Sequence, residues 1–517
     1  MRNTWIALLL ACATPAAAER VERVDLLIRG GTVYTGTDAP FVGDVALSGD
    51  RIRAVGRRLR YRAARVVDAR GMIVAPGFID PHTHVGEQLQ SPDARARLIP
   101  AFLMQGVTTA LIGNDGGGNP DVAAVLGSAR ARPVGINFAA YVGFGEVRRA
   151  VIGEADRAPT PDEVVRMRAL VARAMCQGAL GLSTGLFYAP QSFSRTDEVI
   201  ALAREAASRG GLYDSHLRDE SSYSVGLAAA VDEAITIGRE AGLPVNISHI
   251  KALGVDVQGQ APAIVARIDA ARRTGQRITA DQYPWSASGT SLVAALVPRW
   301  AQDGGRAALL RRFDDAALAT RLHTEMAENL RRRGGAASLL ITEGTQHGRR
   351  LNEVAGTGDP VAAAISVIRQ ADPGVVSFNQ SEADIETFMR QPWAMTSSDA
   401  SGGHPRAFGS FARLYAEYVV RRHVLTLRAM IARSSTLTAE TFGFVDRGRL
   451  RPGAFADVVV FDPLTYAARA TYERPNELAS GVRTVFVNGV AAVDNGALTG
   501  AAAGRGLAHI PRPGSCP

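Results

Sequence analysis

The sequence predicts an α/β protein whose middle is a parallel sheet, either a (β/α)8 barrel or a doubly wound sheet, between two β-rich ends. Three observations support this prediction. Strand-like and helix-like segments alternate from about residue 76 to 440, short strands with turns occupy 24–74, and the same texture returns after 441. Repeated βα units of this length form parallel sheets. The chain has 517 residues, 46% of them hydrophobic, which suffices for a large core.

The alternation is clearest between residues 160 and 283. Thr160 and Pro161 supply a cap and a first helical residue, and apolar residues follow at helical spacing until Gly178. The same reasoning predicts helices at about 196–209, 224–241 and 261–274, and strands through Leu182 and at 212–216, 245–250 and 278–283. Extra helical material at about 291–335 interrupts this rhythm and is interpreted as an insertion.

The two β-rich ends are expected to form one small β-sandwich. The first end, residues 19–75, has turns at Gly30-Gly31, Gly49-Asp50 and Arg70-Gly71. The second end, 441–517 with its tail, has apolar strands at 456–461 and 483–487, the latter followed by the hairpin turn Asn488-Gly489. The domain that carries the chemistry would then be residues 76–440.

Residues 1–18 are typical of a secretory signal peptide. Arg2 precedes the apolar stretch 5–12, and three alanines at 16–18 precede Glu19. We therefore expect an exported protein, periplasmic or secreted. A lipoprotein with Cys12 lipidated is the alternative, although the apolar segment before Cys12 is short. No later apolar run is long enough to predict a membrane span.

Charge and cysteine content narrow the function classes. The formal net charge of +8 at pH 7 favours anionic small molecules as ligands. The basic runs 57–65 and 331–333 lack interleaved aromatic residues, so we interpret them as solvated surfaces and expect no nucleic-acid partner. Cys176 and Cys516 would pair only by coincidence of the fold, so a disulfide framework is not supported.

A histidine pair gives the first hint of chemistry. The apolar run that ends in Phe78-Ile-Asp-Pro-His82-Thr-His84 places two imidazoles one residue apart. In an extended strand such residues point to the same side, so both can bind one cation. This spacing predicts a catalytic metal site.

Further polar residues follow apolar strands, where a barrel would bring their side chains to one face. They are His82, His84, Asp115, His216, His249, Tyr283 and Asp399. Six of the seven carry zinc-ligand groups. The chain also contains 57 arginines and a single lysine, Lys251, two residues after His249. Its position predicts a function for a compact ammonium group that a guanidinium would not serve.

Two other motifs compete for a role. Gly181-Leu-Ser183-Thr-Gly185 matches the nucleophile elbow of serine hydrolases, but the next helix begins about ten residues too late for that turn. The glycine-rich stretch 113–118 lacks the lysine of a phosphate-binding loop. Its glycines are better explained by a close approach of the backbone to the metal centre.

Together these residues resemble the amidohydrolase superfamily, and within it the N-acyl-D-amino-acid deacylase (D-aminoacylase) group. The resemblance covers nearly the whole chain after the signal peptide. It is carried by Ala75-Pro-Gly-Phe-Ile-Asp-Pro-His82-Thr-His84, Gly106-Val-Thr-Thr, the stretch 178–188, Ser215-His216-Leu-Arg-Asp-Glu220, Ser248-His249-Ile-Lys251, Asp281-Gln-Tyr283-Pro, Ser398-Asp399-Ala and His404-Pro-Arg406.

The resemblance implies a TIM-like (β/α)8 barrel with one or two zinc ions. His82 and His84 would bind one metal, His216 and His249 the other, and Asp399 would lie beside the reacting water as ligand and general acid/base. Deacylases of this group usually have a cysteine between the metals, where this chain has Asp115. A carboxylate can also bridge two metals, although it is a harder ligand than a thiolate.

The resemblance also implies a substrate and its contacts. Lys251, Tyr283, Ser288 and Arg406 would hold the α-carboxylate of an N-acyl-D-amino acid. No second arginine or lysine is clearly positioned for an acidic side chain, which favours apolar substrates. Three other functions stay open. They are opening of cyclic amides as in hydantoinases and dihydroorotases, cleavage of dipeptides with a C-terminal D-residue, and ligand binding by an exported protein without catalysis.

Overall fold

The computed structural model describes residues 22–516. The predicted signal peptide and Cys12 lie outside these residues. In the described part of the chain, none of the helices combines the length and apolarity needed to span a bilayer.

The structure contains strands and helices throughout the described chain. In order, the strands are β1 (Arg23–Val33), β2 (Phe41–Ser48), β3 (Arg51–Gly56), β4 (Arg62–Asp68), β5 (Ile73–Pro76), β6 (Phe78–Asp80), β7 (Val107–Ile112), β8 (Asn137–Ala140), β9 (Val142–Gly143), β10 (Gly181–Gly185), β11 (Leu212–His216), β12 (Val245–Ile247), β13 (Ile278–Gln282), β14 (Ala287–Ser291), β15 (Leu339–Ile341), β16 (Gly374–Phe378), β17 (Ala394–Thr396), β18 (Val458–Phe461), β19 (Val482–Val487), β20 (Val490–Asp494) and β21 (Ala497–Leu498).

The helices are α1 (Gly86–Gln90), α2 (Pro100–Leu103), α3 (Val122–Ala131), α4 (Phe144–Ile152), α5 (Pro161–Cys176), α6 (Thr196–Ser208), α7 (Leu227–Ala241), α8 (Ala261–Arg273), α9 (Leu292–Leu296), α10 (Gly305–Asp314), α11 (Ala316–Arg332), α12 (Leu351–Ala355), α13 (Pro360–Gln370), α14 (Glu382–Met389), α15 (Arg406–Arg413), α16 (Leu427–Ser434) and α17 (Thr436–Thr441). A π-helical segment, Leu414–Arg421, follows α15. The helices predicted near 161, 196, 224 and 261 are confirmed as α5 to α8.

Helix α5 shows how local sequence signals predict a helix correctly. Glu163 N donates to the Thr160 hydroxyl (3.3 Å), and the Glu163 carboxylate accepts from Thr160 N (2.8 Å), so the first turn is capped from both sides. Met167, Val171 and Met175 form the buried stripe of the helix. The cap and the apolar spacing therefore mark this helix in the sequence, and packing of the buried stripe stabilises it.

The two chain ends meet in one sheet of nine strands. Strand β18 pairs antiparallel with β5, with Val458 opposite Pro76 and Phe461 opposite Ile73. The order of the sheet is β21-β20-β19-β18-β5-β1-β2-β3, and β4 pairs with β1. Strands from both β-rich ends of the chain therefore belong to one sheet.

The middle of the chain contains parallel strands in two sheets, β6-β7-β8 and β9-β10-β11-β12-β13-β17. Only Tyr141 separates β8 from β9 along the chain. Beyond the ends of β6 and β17, Asp399 N donates to His82 O (2.9 Å) and His84 N donates to Ala400 O (3.0 Å). The residues that follow β6 and β17, the first and last parallel strands, therefore lie side by side.

A second, smaller unit interrupts the parallel strands. Strands β14, β16 and β15 form an antiparallel sheet, and helices α9 to α13 lie between them in sequence. Leu296, Leu322, Met326 and Ile368 belong to its separate apolar cluster. The interruption runs from Ala287 to Phe378 and includes the predicted insertion.

The C-terminal tail runs along the parallel strands. Gly504 N donates to Val134 O, Leu507 N to Phe138 O and His509 N to Gly178 O, at 2.7–2.9 Å. This path carries Cys516 to the end of α5, where it forms a disulfide with Cys176. The sequence alone does not support this bond, because the two cysteines lie 340 residues apart and the course of the tail brings them together.

Candidate metal centre

The structure brings the predicted ligands together at the carboxyl ends of the parallel strands. His82 and His84 follow β6, His216 ends β11, and His249 follows β12. Asp115 lies three residues after β7 and Asp399 three residues after β17. Side chains that are up to 317 residues apart in sequence therefore share one site, because parallel strands deliver their ends to the same face.

Asp115 lies at the middle of this site. Its Oδ1 atom lies 3.3 Å from His82 Nε2, 3.6 Å from His216 Nδ1 and 3.5 Å from His249 Nε2, and its Oδ2 atom lies 3.4 Å from His84 Nε2. One carboxylate thus contacts all four imidazoles. This arrangement suits a ligand that bridges two metal ions.

Asp399 faces the same histidines from the other side. Its Oδ1 atom lies 3.2 Å from His84 Nε2 and 3.7 Å from His82 Nε2. Its Oδ2 atom lies 2.6 Å from Arg406 Nη1. One carboxylate oxygen is therefore directed to the predicted metal ligands and the other is held by a cation.

The donor set fits a metal ion. His82, His84 and Asp115 offer ligand atoms within 4.8 Å of one another, and so do Asp115, His216 and His249, and His82, His249 and Asp399. Both ring nitrogens of His82 and Oδ1 of Asp115 are buried without a hydrogen-bond partner among the described residues. Buried polar atoms normally have a partner, so these atoms point to a cation as the missing one.

The electrostatics of the site agree with this fit. Burial by itself favours the neutral form of Asp115, but His82 and His216 outweigh it and hold the pKa of this carboxyl well below its usual range. Partial desolvation in the site disfavours a charge on His84, whose side chain is 36% exposed, yet its hydrogen bonds to Asp115 and Asp399 raise its pKa to about 9. The carboxylates thus attract positive charge, which a divalent cation can supply.

The loop that carries Asp115 is held in an unusual conformation. Asp115 has φ 56°, and His249 and Asp399 also have positive φ angles. Such angles are rare for residues other than glycine and cluster at functional sites. Gly116 and Gly118 allow the close approach, since a Cβ atom there would lie 2.1 Å from Gln191 Oε1 and 2.2 Å from Tyr141 O, respectively.

Ser183 and Gln191 fix this loop by hydrogen bonds. Gly116 N donates to the Ser183 hydroxyl (3.2 Å), which in turn donates to Gly113 O. Gln191 Nε2 donates to Asp115 O (2.9 Å). Ser183 is fully buried and therefore supports the loop, which agrees with the interpretation of the Gly181–Gly185 match as accidental.

The predicted substrate-binding residues line a cavity of about 450 Å³ beside the centre. They are Lys251, Tyr283, Ser288 and Arg406. The Arg406 guanidinium stacks 4.8 Å from the Tyr283 ring centroid, and the Ser288 hydroxyl donates to Asn379 Oδ1 (3.3 Å). His404 positions Arg406, because its Nδ1 accepts from Arg406 N (3.1 Å) while its Nε2 lies 3.0 Å from Ala287 O.

Lys251 belongs to a pair that the sequence did not reveal. Its Nζ donates to Glu220 Oε1 (2.6 Å) and lies 2.7 Å from His249 Nδ1. Glu220 Oε1 is also 3.1 Å from His249 Nδ1, so this acid orients the imidazole. Glu220 lies within the motif that begins at Ser215, but its partner is 31 residues away.

The lining of the cavity also corrects one expectation. Phe187 and Tyr188 line it beside the predicted residues. Arg333 lines it as well and is 2% exposed. The interpretation of the 331–333 run as a solvated surface is wrong at Arg333, which adds a further cation to the lining of this cavity.

Comparison with known proteins identifies the family. The family model described as "Amidohydrolase family" matches residues 65–493. The chain belongs to this family. D-aminoacylase of Alcaligenes xylosoxydans xylosoxydans is 34% identical over 514 residues, which cover 94% of this chain and 98% of that protein.

Two solved structures are similar to this amidohydrolase in three dimensions. N-acyl-D-glutamate deacylase from Bordetella bronchiseptica, complexed with zinc and a phosphonate inhibitor, matches with a TM-score of 0.80 and 32% identity over 94% of this chain and 100% of that one. A D-hydantoinase matches with a TM-score of 0.56 and 15% identity over 94% of this chain and 99% of that one, which shows a shared fold.

Proposed function

We propose that this amidohydrolase is a zinc-dependent hydrolase that removes the acyl group from N-acyl-D-amino acids. The observation that carries the proposal is the placement of Asp115 and Asp399 among four histidines, next to a cavity lined by Lys251 and Arg406. The histidines and the two carboxylates form a site for metal-assisted hydrolysis, and the cations of the cavity form a site for a substrate carboxylate. The names of the D-aminoacylase and the zinc-containing deacylase above support the same function.

The ligand set would be shared between two ions. His82 and His84 would hold one, His216 and His249 the other, and Asp115 would contact both. A zinc ion bound there would polarise the amide carbonyl and acidify a water molecule. His82, His216 and His249 are buried, whereas His84 is exposed towards the cavity in which a substrate would bind.

The residues around the centre would perform the remaining steps. Asp399 would accept a proton from the attacking water at Oδ1 and return it to the leaving amine nitrogen. Burial favours its neutral form, but Arg406 and His249 hold its pKa well below the usual range, so the carboxylate starts as a base. Arg406, Lys251 and Tyr283 would bind the α-carboxylate and so fix the amide relative to Asp399.

We further propose the finer architecture. The two parallel sheets would form one (β/α)8 barrel, continuous through β8 and β9 and completed between β17 and β6. The hydrogen bonds from Asp399 N to His82 O and from His84 N to Ala400 O support closure at that point. The nine-stranded sheet of the chain ends would form the small β-sandwich domain.

Metal analysis paired with a substrate panel tests the function. We expect one to two equivalents of zinc in the purified protein and turnover of N-acetyl-D-amino acids at least about 100-fold faster than of their L-enantiomers, since inversion at the α-carbon displaces the amide when the carboxylate is held. The panel should also contain hydantoins and dipeptides with a C-terminal D-residue. Chelation should abolish activity, and zinc should restore it.

Other results would contradict this assignment. Turnover of hydantoins alone would establish a cyclic-amide hydrolase, and turnover of the dipeptides alone would establish a dipeptidase. Protein that binds N-acetyl-D-amino acids without hydrolysing them and contains no zinc would be a binding protein.

We also propose that the protein is exported to the periplasm or secreted. The Cys176–Cys516 disulfide supports this localisation, because disulfides persist in oxidising compartments. Cell fractionation with intact-mass analysis tests it. We expect a chain that begins at Glu19 outside the cytoplasm, with both thiols oxidised; lipid attached to Cys12 would support the lipoprotein alternative, and an uncleaved cytoplasmic chain with free thiols would contradict export.

A further inference from the structure

The cavity beside the metal centre contains a buried cation to which the proposed chemistry gives no role. Arg333 follows α11 and is 2% exposed. Its Nε donates to Ala295 O (3.3 Å) and its Nη1 to the Ser377 hydroxyl (3.1 Å). These neutral acceptors hold the guanidinium in place without balancing its charge.

Arg333 differs from the other two cations that line the cavity. Lys251 Nζ lies 2.6 Å from Glu220, and Arg406 Nη1 lies 2.6 Å from Asp399. Among the described residues, no carboxylate oxygen lies within 4.0 Å of Arg333, although Glu343 and Asp372 line the same cavity. Burial of an unpaired charge is costly, so an anion that is absent from the chain itself would stabilise this site.

A second cation, Arg299, is separated from the metal-centre cavity by two aromatic rings. Arg299 packs 3.9 Å from the centroid of Phe187, and its Nη1 is buried without a hydrogen-bond partner in the described part of the chain. Phe187 and Tyr223 line both the metal-centre cavity and an adjoining cavity of about 550 Å³, which Arg299 also lines. We call Arg299, Arg333, Phe187 and Tyr223 the cationic wall.

The two guanidiniums of the cationic wall act on each other. Burial lowers the pKa of Arg299 to about 10, and the positive charge of Arg333 contributes to the same shift. The Tyr223 ring lies 5.7 Å from the Arg333 guanidinium and 5.3 Å from the Phe187 ring, so it occupies the space between the two cations. Of the two cations, Arg333 thus faces the metal-centre cavity, and Arg299 adds positive charge from behind the aromatic rings.

We propose that the cationic wall binds a second carboxylate of the substrate, so that the preferred substrate is an N-acyl-D-amino acid with two carboxylates. This inference rests on the proposed deacylase function, which assigns the α-carboxylate to Lys251, Tyr283 and Arg406. The second carboxylate belongs either to the amino-acid side chain or to the acyl group. In both cases the planar Arg333 guanidinium supplies the charge and the paired donors that recognise a carboxylate.

Three amides separate these sources. N-acetyl-D-glutamate carries the second carboxylate on the side chain, N-succinyl-D-glutamine carries it on the acyl group, and N-acetyl-D-glutamine carries none. We expect kcat/KM for one of the two dicarboxylates to exceed that of N-acetyl-D-glutamine by about 100-fold, since a buried charge pair contributes that much or more. The favoured dicarboxylate shows which part of the substrate meets the wall.

Arg333→Gln tests the wall itself. We expect this variant to lose about 100-fold in kcat/KM for the favoured dicarboxylate and to change less than about 5-fold for N-acetyl-D-glutamine. Arg311→Gln is the matched control, because Arg311 is an exposed arginine of α10, and it should leave both values unchanged. Zinc content and thermal melting show whether each variant is folded. If Arg333→Gln is not, Arg333→Lys takes its place; it keeps the charge but loses the paired donors, so it should lower kcat/KM for the favoured dicarboxylate and leave N-acetyl-D-glutamine within about 5-fold.

Two results would overturn the inference. N-acetyl-D-glutamine could be hydrolysed as fast as both dicarboxylates, or Arg333→Gln could reduce all three amides equally. Failure of the proposed function would look different, since none of the amides would be hydrolysed. In that case calorimetric binding of N-acetyl-D-glutamate, N-succinyl-D-glutamine and N-acetyl-D-glutamine decides the matter, and equal affinities for all three would exclude the wall as an anion site.

Discussion

Asp399→Asn is expected to lower kcat for an N-acyl-D-amino acid about 1,000-fold, the loss that follows removal of a general base. The amide nitrogen cannot accept the proton of the attacking water, whereas the size of the side chain and its place beside His84 and Arg406 are kept. Because the four imidazoles and Asp115 remain, the zinc content should stay near that of the unchanged protein. Steady-state kinetics and elemental analysis of the same preparation measure both quantities.

The control for this substitution is Asp121→Asn. Asp121 caps α3 by accepting from Ala124 N (3.3 Å), and asparagine caps a helix equally well, so kcat and zinc content should not change. A rate for Asp399→Asn within a few-fold of normal would show that another group takes the proton. A parallel loss of zinc would show that Asp399 serves mainly as a ligand.

The metal ligands could be predicted because they interrupt apolar strands. His82, His84, His216 and His249 each occur where a buried strand ends, and parallel strands bring their carboxyl ends to one face. A prediction of this kind needs only the approximate positions of the strands along the chain. Local sequence patterns give these positions, as the cap of α5 gives the start of that helix. The prediction does not need the register between strands, and short errors in strand length, as in β12, do not affect it.

The supporting residues could not be predicted in this way, since their roles depend on how loops fold back. Glu220 reaches Lys251 only because the segment after β11 returns to the end of β12. Gln191 holds Asp115 across 76 residues. Neither residue follows a strand directly, and an isolated acid or amide in a loop has no periodicity that marks it.

The burial of Arg333 could not be predicted for a related reason. In sequence, Arg333 belongs to a run of three arginines, and such runs are usually solvated. In the structure the helix ends at Arg332, and the next residue turns inward between Ala295 and Ser377. Local composition predicts the exposure of a helix face, but it does not predict the first residue after the helix.

Asp115→Ala is expected to lower zinc affinity at least about 100-fold, more than the substitution of any single histidine. The reason is geometric, since Asp115 contacts all four imidazoles at 3.3–3.6 Å, whereas each histidine belongs to one half of the site. Loss of a residue that merely orients a ligand costs 10–100-fold, so loss of a shared ligand should reach the top of that range or exceed it. Zinc titration of the metal-free protein measures the affinity.

Asp115→Cys tests whether the side chain at position 115 contacts the metal ions. A thiolate can take the same position between two ions, so this variant should bind zinc far better than Asp115→Ala. Loaded with cobalt, it should show sulfur-to-metal charge-transfer absorption that the unchanged protein lacks, and this signal does not depend on turnover. If Asp115→Ala binds zinc normally, or if the cobalt spectrum of Asp115→Cys shows no sulfur ligand, then Asp115 does not contact the metal ions and the loop after β7 serves only to shape the cavity.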